Sequence, residues 1–144
     1  MSATVFAQVV GTIVARLQAH PPVSAHVFRA RMRAFPASAL TGLCVRIGRA
    51  DIQQGVGQGV PRIAATGIAL ECYARASASE SIDEALDGLL QAAATRLLAD
   101  PSLGGLVGDI NPTGIAYDFD ADGEATACAV ISFDVVHATP VLSF

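Results

Sequence analysis

The densest group of potential ligands in the chain is the run Asp118-Phe119-Asp120-Ala121-Asp122-Gly123-Glu124. Acids at its first, third and fifth positions and glycine at the sixth form the opening half of an EF-hand loop, whose carboxylates would offer hard oxygen ligands to calcium. The second half departs from that pattern. Position twelve is Ala129, where a bidentate glutamate is required, and the flanking residues alternate as strands do. An acidic hairpin tip with an Asp-Gly turn accounts for the same letters. Gly55-Val56-Gly57-Gln58-Gly59 could be taken for a phosphate-cradling loop. No lysine follows it, the glycine spacing is wrong for a dinucleotide site, and no capped helix begins there to receive a phosphate. A flexible interaction loop that includes Pro61 is the better reading. His20, His26 and His137 are scattered, without metal-ligand spacing. No nucleophile elbow or zinc-protease signature occurs. The sequence therefore gives no catalytic residue and no cofactor or metal site, and a non-enzymatic role is expected.

Arg29, Arg31 and Arg33 stand two residues apart. On a strand they would share one face and repel one another unless solvated or paired. A solvent face, or pairing with acids on a neighbouring strand such as Glu71, explains them. A basic strip aimed at an acidic partner or a channel is the alternative.

The elements that would carry these residues follow from periodicity. Val5, Val9, Ile13 and Leu17 recur at helical spacing until His20-Pro21-Pro22 stops the ladder. From Ala25 to Ala34 the period is two, with His26, Phe28 and Ala30 on one face and Val27 and the arginines on the other. A second strand is expected over Leu43 to Gly48, a long loop from Asp51 to Pro61, and a third strand from Ile63 to Arg75. Ser81-Ile82-Asp83-Glu84 has the form of a capping box. The helix it opens buries Ile82, Leu86, Leu89, Leu90, Leu97 and Leu98, and ends at Asp100-Pro101. Two alternating strands around Asp122-Gly123 close the chain. The order α-β-β-β-α-β-β predicts a single α+β domain over residues 1–144, with a mixed or mostly antiparallel sheet and both helices on one face.

Composition adds to this. The chain has 144 residues, 52% of them hydrophobic and 15% charged, with a formal net charge of −4. So apolar a balance in a small domain implies apolar surface left over for partners. All nine basic residues are arginines, and an acidic chain is poorly suited to phosphate-driven nucleic-acid binding. Cys44, Cys72 and Cys128 are odd in number and widely spaced, so they read as reduced, buried small hydrophobes. No basic residue precedes the apolar N-terminal run and no stretch reaches the ~20 apolar residues that span a bilayer, which predicts a cytosolic site of synthesis.

Several short stretches, taken together, resemble the tail-terminator proteins of long-tailed bacteriophages, the minor tail protein U group. They are Val27-Phe28-Arg29-Ala30-Arg31 through Phe35-Pro36-Ala37-Ser38-Ala39-Leu40 into Val45-Arg46-Ile47, then Leu97-Leu98-Ala99-Asp100-Pro101-Ser102-Leu103-Gly104-Gly105-Leu106-Val107, and Pro112-Thr113-Gly114 into the strand pair ending Ile131-Ser132-Phe133-Asp134-Val135. The resemblance implies a virion tail protein, from a phage or a prophage, assembled in the host cytoplasm. It would form a ring, typically of six subunits, that caps the tail tube, stops its polymerisation and presents a surface to head-completion proteins, with no cofactor. Its partners would be itself, tail-tube protein and a head-completion protein. Candidate interface residues are Arg29, Arg31 and Arg33 with the loop residues Gly55, Gly57, Gly59 and Pro61. Another head–tail connector or tail-completion subunit is the alternative within the class. A small α+β binding module or enzyme with a site between sheet and helices is the alternative outside it.

Overall fold

A computed structural model describes residues 3–30, 39–53, 59–77, 79–119 and 126–140. The elements are α1 (Val5–Gln18), β1 (Val27–Arg29), β2 (Thr41–Gln53), β3 (Arg62–Arg75), α2 (Ile82–Leu98), β4 (Asp109–Asp118) and β5 (Thr126–Thr139). The order is the predicted one, and the fold is α+β. The strands form one five-stranded sheet in the spatial order β1-β2-β3-β5-β4. Only the β1–β2 pair is parallel; the other three pairs are antiparallel.

Both helices begin as their sequences dictate. The Thr4 hydroxyl accepts from the Ala7 N–H, and the Ser81 hydroxyl from the Glu84 N–H, so each helix has one of its orphan N-terminal donors satisfied. Asp83 and Glu84 add charge of the favourable sign at the α2 N-terminus. The other ends are tied together. Arg96 of α2 donates to the carbonyls of Arg16 and Ala19, both at 2.9 Å, and to that of Pro21. Arg16 of α1 in turn reaches Asp100 just beyond α2, at 3.0 Å. The turn after α2 is organised on Asp100, which accepts from the Ser102 hydroxyl at 2.6 Å and the Gly104 N–H at 2.9 Å. Gly104 and Gly105 take φ values of 71° and 90° there, the left-handed region in which a side chain is disfavoured.

The core lies between the helices and one face of the sheet. Val9, Ile13 and Leu17 of α1 and Leu86, Leu89, Ala93 and Leu97 of α2 meet Leu43, Val45, Ile68, Leu70, Ile131, Phe133 and Val135. Along β5 the alternation is clean: Ile131, Phe133 and Val135 are buried, while Ser132, Asp134 and Val136 are exposed. The three cysteines are buried and form no disulfide, as expected.

Four expectations are corrected. The first strand is three residues, not ten. Ala30 has a φ of 47°, which an extended strand cannot accommodate, so the alternation ends there. Val27, assigned to the arginine face, is buried. The second strand is much longer than predicted. It reaches Gln53, with a register shift between Ile47 and Ala50, so Asp51 to Gln53 are strand and not loop. The extra residue of a bulge hides the period of two. Leu98, counted in the buried stripe of α2, is 39% exposed.

Candidate functional site

Among the described residues, the predicted interface residues Arg29, Gly59 and Pro61 do not converge. Arg29 closes β1, and its guanidinium donates to the Ala7 carbonyl of α1 at 3.0 Å. It lies level with Val45 of β2. Gly59, with a φ of 78°, and Pro61 are exposed at the far end of the β2–β3 connection. Between Val45 and Gln53 the strand covers on the order of 25 Å at its usual rise of ~3.3 Å per residue. Arg31, Arg33, Gly55 and Gly57 lie outside the described residues. Glu71, offered as a partner for the arginine strip, pairs with Arg46 of the adjacent strand. It also accepts from the Tyr73 hydroxyl at 3.1 Å.

What converges is apolar. On the helix-covered face of the sheet, two grooves open at opposite edges. The first lies between α1 and the outer part of β2, beyond the end of β1. It encloses about 240 Å³ and is lined by Phe6, Ala7, Val10, Ala30, Val45 and Ile47, with Arg29 at its rim. The second lies between α2 and the edge strand β4, encloses about 340 Å³, and is lined by Leu90, Ala94, Leu98, Pro112, Ile115 and Tyr117, with Asp87 at its rim. Ile47 is 45% exposed, Ile115 49% and Tyr117 56%. The rings of Tyr117 and Phe119 stack with centroids 6.2 Å apart. The surplus of apolar surface implied by the composition is thus found on both flanks.

The cause is geometric. Register places Pro112 opposite Phe133, Ile115 opposite Ile131 and Tyr117 opposite Ala129, so these β4 residues point to the same side as the core. Yet α2 packs mainly over β3 and β5 and leaves a groove between itself and β4. The alternation in β4 is real; its cover is missing. No periodicity could have shown this, because a strand alternates identically whether or not a helix lies over it. The available signal was positional: a last hairpin places one strand at the sheet edge.

Polar chemistry in the interior is structural. His137 is buried; its Nε2 lies 2.8 Å from the Thr66 hydroxyl and its Nδ1 3.1 Å from the Ala138 carbonyl. Nδ1–H donating to the carbonyl leaves Nε2 to accept from Thr66, which satisfies both groups. Phe6 meets the ring edge-on at 5.3 Å. Burial, and then Cys128 and Glu71, push the Cys72 thiol up to about 12, so it is protonated at neutral pH and a poor nucleophile. The same causes raise the Tyr73 hydroxyl above its ordinary value. Among the described residues no group of His, Cys, Asp or Glu is arranged to hold a metal ion, and no helix is long and apolar enough to cross a membrane. Asp118 and Ala129, the ends of the would-be calcium loop, fall in paired β-strands; the acids between them lie outside the described residues.

No protein-family model matches the chain, and no curated protein matches it in sequence. In fold it is similar to a chain from the solved virion of a native gene transfer agent particle. The TM-score is 0.55 at 11% sequence identity, with 95% of this chain and 99% of that chain covered. The likeness therefore runs through the whole of both chains, and what they share is the fold.

Proposed function

We propose that this chain is a structural subunit of a phage-type virion, not an enzyme: a ring-forming tail protein that caps the tail tube, ends its growth and offers a surface to head-completion proteins. The carrying observation is the end-to-end fold likeness to a chain of a gene transfer agent virion. The sequence resemblance to tail terminators points the same way. Two apolar grooves rimmed by single charges suit protein contact better than catalysis, which calls for titratable groups converging in one concavity. A ring subunit also needs two different surfaces that meet each other.

The test is tube growth in vitro. Tail-tube protein of the same virus or prophage is polymerised with and without this chain, and tubes are measured by electron microscopy. Expected are shorter tubes carrying a ring at one end. Tubes of unchanged length with bare ends would sink the capping role. Binding to head-completion protein without any effect on tubes would favour a connector instead.

A further inference from the structure

We propose that the two grooves are the two halves of one interface, the α2/β4 flank of one copy seating on the α1/β2 flank of the next. The inference rests on the ring reading above and specifies which surfaces build it. The evidence is charge. Residues 1–53 carry six of the nine arginines and a single acid, Asp51. Residues 79–124 carry ten of the thirteen acids and a single arginine, Arg96. The sheet order puts β1 and β2 at one edge and β4 at the other, and among the described arginines before Gln53, Arg16, Arg46 and Arg49 already pair with acids of the same chain, so the charge that bears on the two grooves is that of Arg29 and Asp87. Arg29 rims one groove and Asp87 the other. A like-to-like contact would set acid against acid or arginine against arginine. A head-to-tail contact sets Arg29 of one copy against Asp87 of the next, which is the complementarity that fixes partner and register.

The contact is made by side chains and not by adding strand to strand. Both open edges are blunted against backbone pairing. Strand β4 carries Pro112 and a register shift between Pro112 and Gly114, and β2 carries its shift between Ile47 and Ala50. Proline and bulges are what natural sheets use to refuse an incoming strand. The exposed side chains of Ile115 and Tyr117 on one flank and of Ile47 on the other remain as the apolar anchors. Because the two surfaces differ, each subunit leaves one free after pairing, and repetition closes into a ring when the rotation between successive copies completes a circle.

Two substitutions test it, each on one flank and each at an exposed position: Tyr117→Asp and Ile47→Asp. Circular dichroism and melting first establish that both variants fold. Mass is then read by light scattering over a range of concentration and salt. The wild-type chain is expected to self-associate, more weakly at high salt because the flanks attract through charge. Each variant alone is expected to lose association at least tenfold. Mixed together, the variants are expected to form a one-to-one heterodimer that grows no further, since each contributes the flank the other lacks. Association that survives both substitutions overturns this interface and leaves the ring reading standing on another surface. An Ile47→Asp variant that still dimerises while Tyr117→Asp does not overturns it in favour of a symmetric β4 contact. A wild-type chain that stays monomeric at millimolar concentration overturns it outright, whatever the tube-growth assay gives.

Discussion

Strands β4 and β5 are neighbours in the sheet and both alternate, yet the core-facing residues of β5 are buried while those of β4 beyond Ile110 are bare. In β5, Ile131, Phe133 and Val135 lie under the helices; in β4, Ile115 and Tyr117 face the same side and stay largely exposed. The difference is not in the residues but in the reach of α2. A period of two fixes which side of the sheet a residue faces. Whether that side is covered is a tertiary fact. The same apolar residue is therefore a core residue on β5 and an interface candidate on β4.

The sharpest way to break this comparison is to truncate one residue on each strand. Phe133→Ala removes a fully buried ring and should cost about 3–5 kcal/mol. Tyr117→Ala, at an exposed site, should leave stability within about 0.5 kcal/mol while weakening self-association. Urea titration of the two variants beside light scattering gives both numbers. Equal destabilisation would mean that β4 is covered in the free chain and that the contrast is false.

A second pair of regions, the two helix C-termini, comes next in size. The end of α1 relies on Arg96, whose guanidinium serves three carbonyls. The end of α2 relies on the turn built around Asp100. Arg96→Ala should cost about 1–3 kcal/mol, because charged hydrogen bonds are lost and their acceptors stranded. Arg96→Lys should recover only part of it, since an ammonium lacks the planar fork that reaches several carbonyls at once. Thermal melts of the two variants measure the gap.

These examples mark how much was legible. Both helices, the caps at Ser81 and the stop at Asp100-Pro101, the α+β order and the buried face of β5 follow from local patterns, and local patterns are written in the sequence. The long β2 was missed because a bulge shifts its period midway. The short β1 was overestimated because the alternation of Arg29, Arg31 and Arg33 continues in the letters after Ala30 has turned the backbone to a φ of 47°. The candidate site was largely illegible. It is made by what α2 does not cover, and the absence of cover depends on where the helix is docked.

Within α2 the exposed face can be sharpened against the buried one. Gly88 is helical and exposed, and a Cβ built there meets nothing within 4 Å. Gly88→Ala should therefore stabilise the domain by about 0.5–1 kcal/mol, chiefly by restricting the unfolded chain. Melting would rise by about 1–4 °C in a domain of this size. A fall instead would mean that this face of α2 is packed.

The smallest expected effect concerns Asp100, and its sign can be worked out. The Ser102 hydroxyl, the Arg16 guanidinium and the Gly104 N–H hold its carboxyl well below the usual carboxylate range in the folded chain. A group whose pKa is depressed by folding contributes stability that is complete above its unfolded value, about 4, and that is lost as pH falls below it toward the folded value. The carboxyl is exposed to solvent, so screening keeps the effect modest. Acid melts should show stability flat from neutral pH to about 5 and falling below about 4. Asp100→Asn, which cannot titrate, should lower stability at neutral pH and lose less of it on acidification, so the two curves draw together toward pH 2. Parallel curves would assign the acid sensitivity to other carboxylates and leave the turn after α2 held by Ser102 and the two glycines alone.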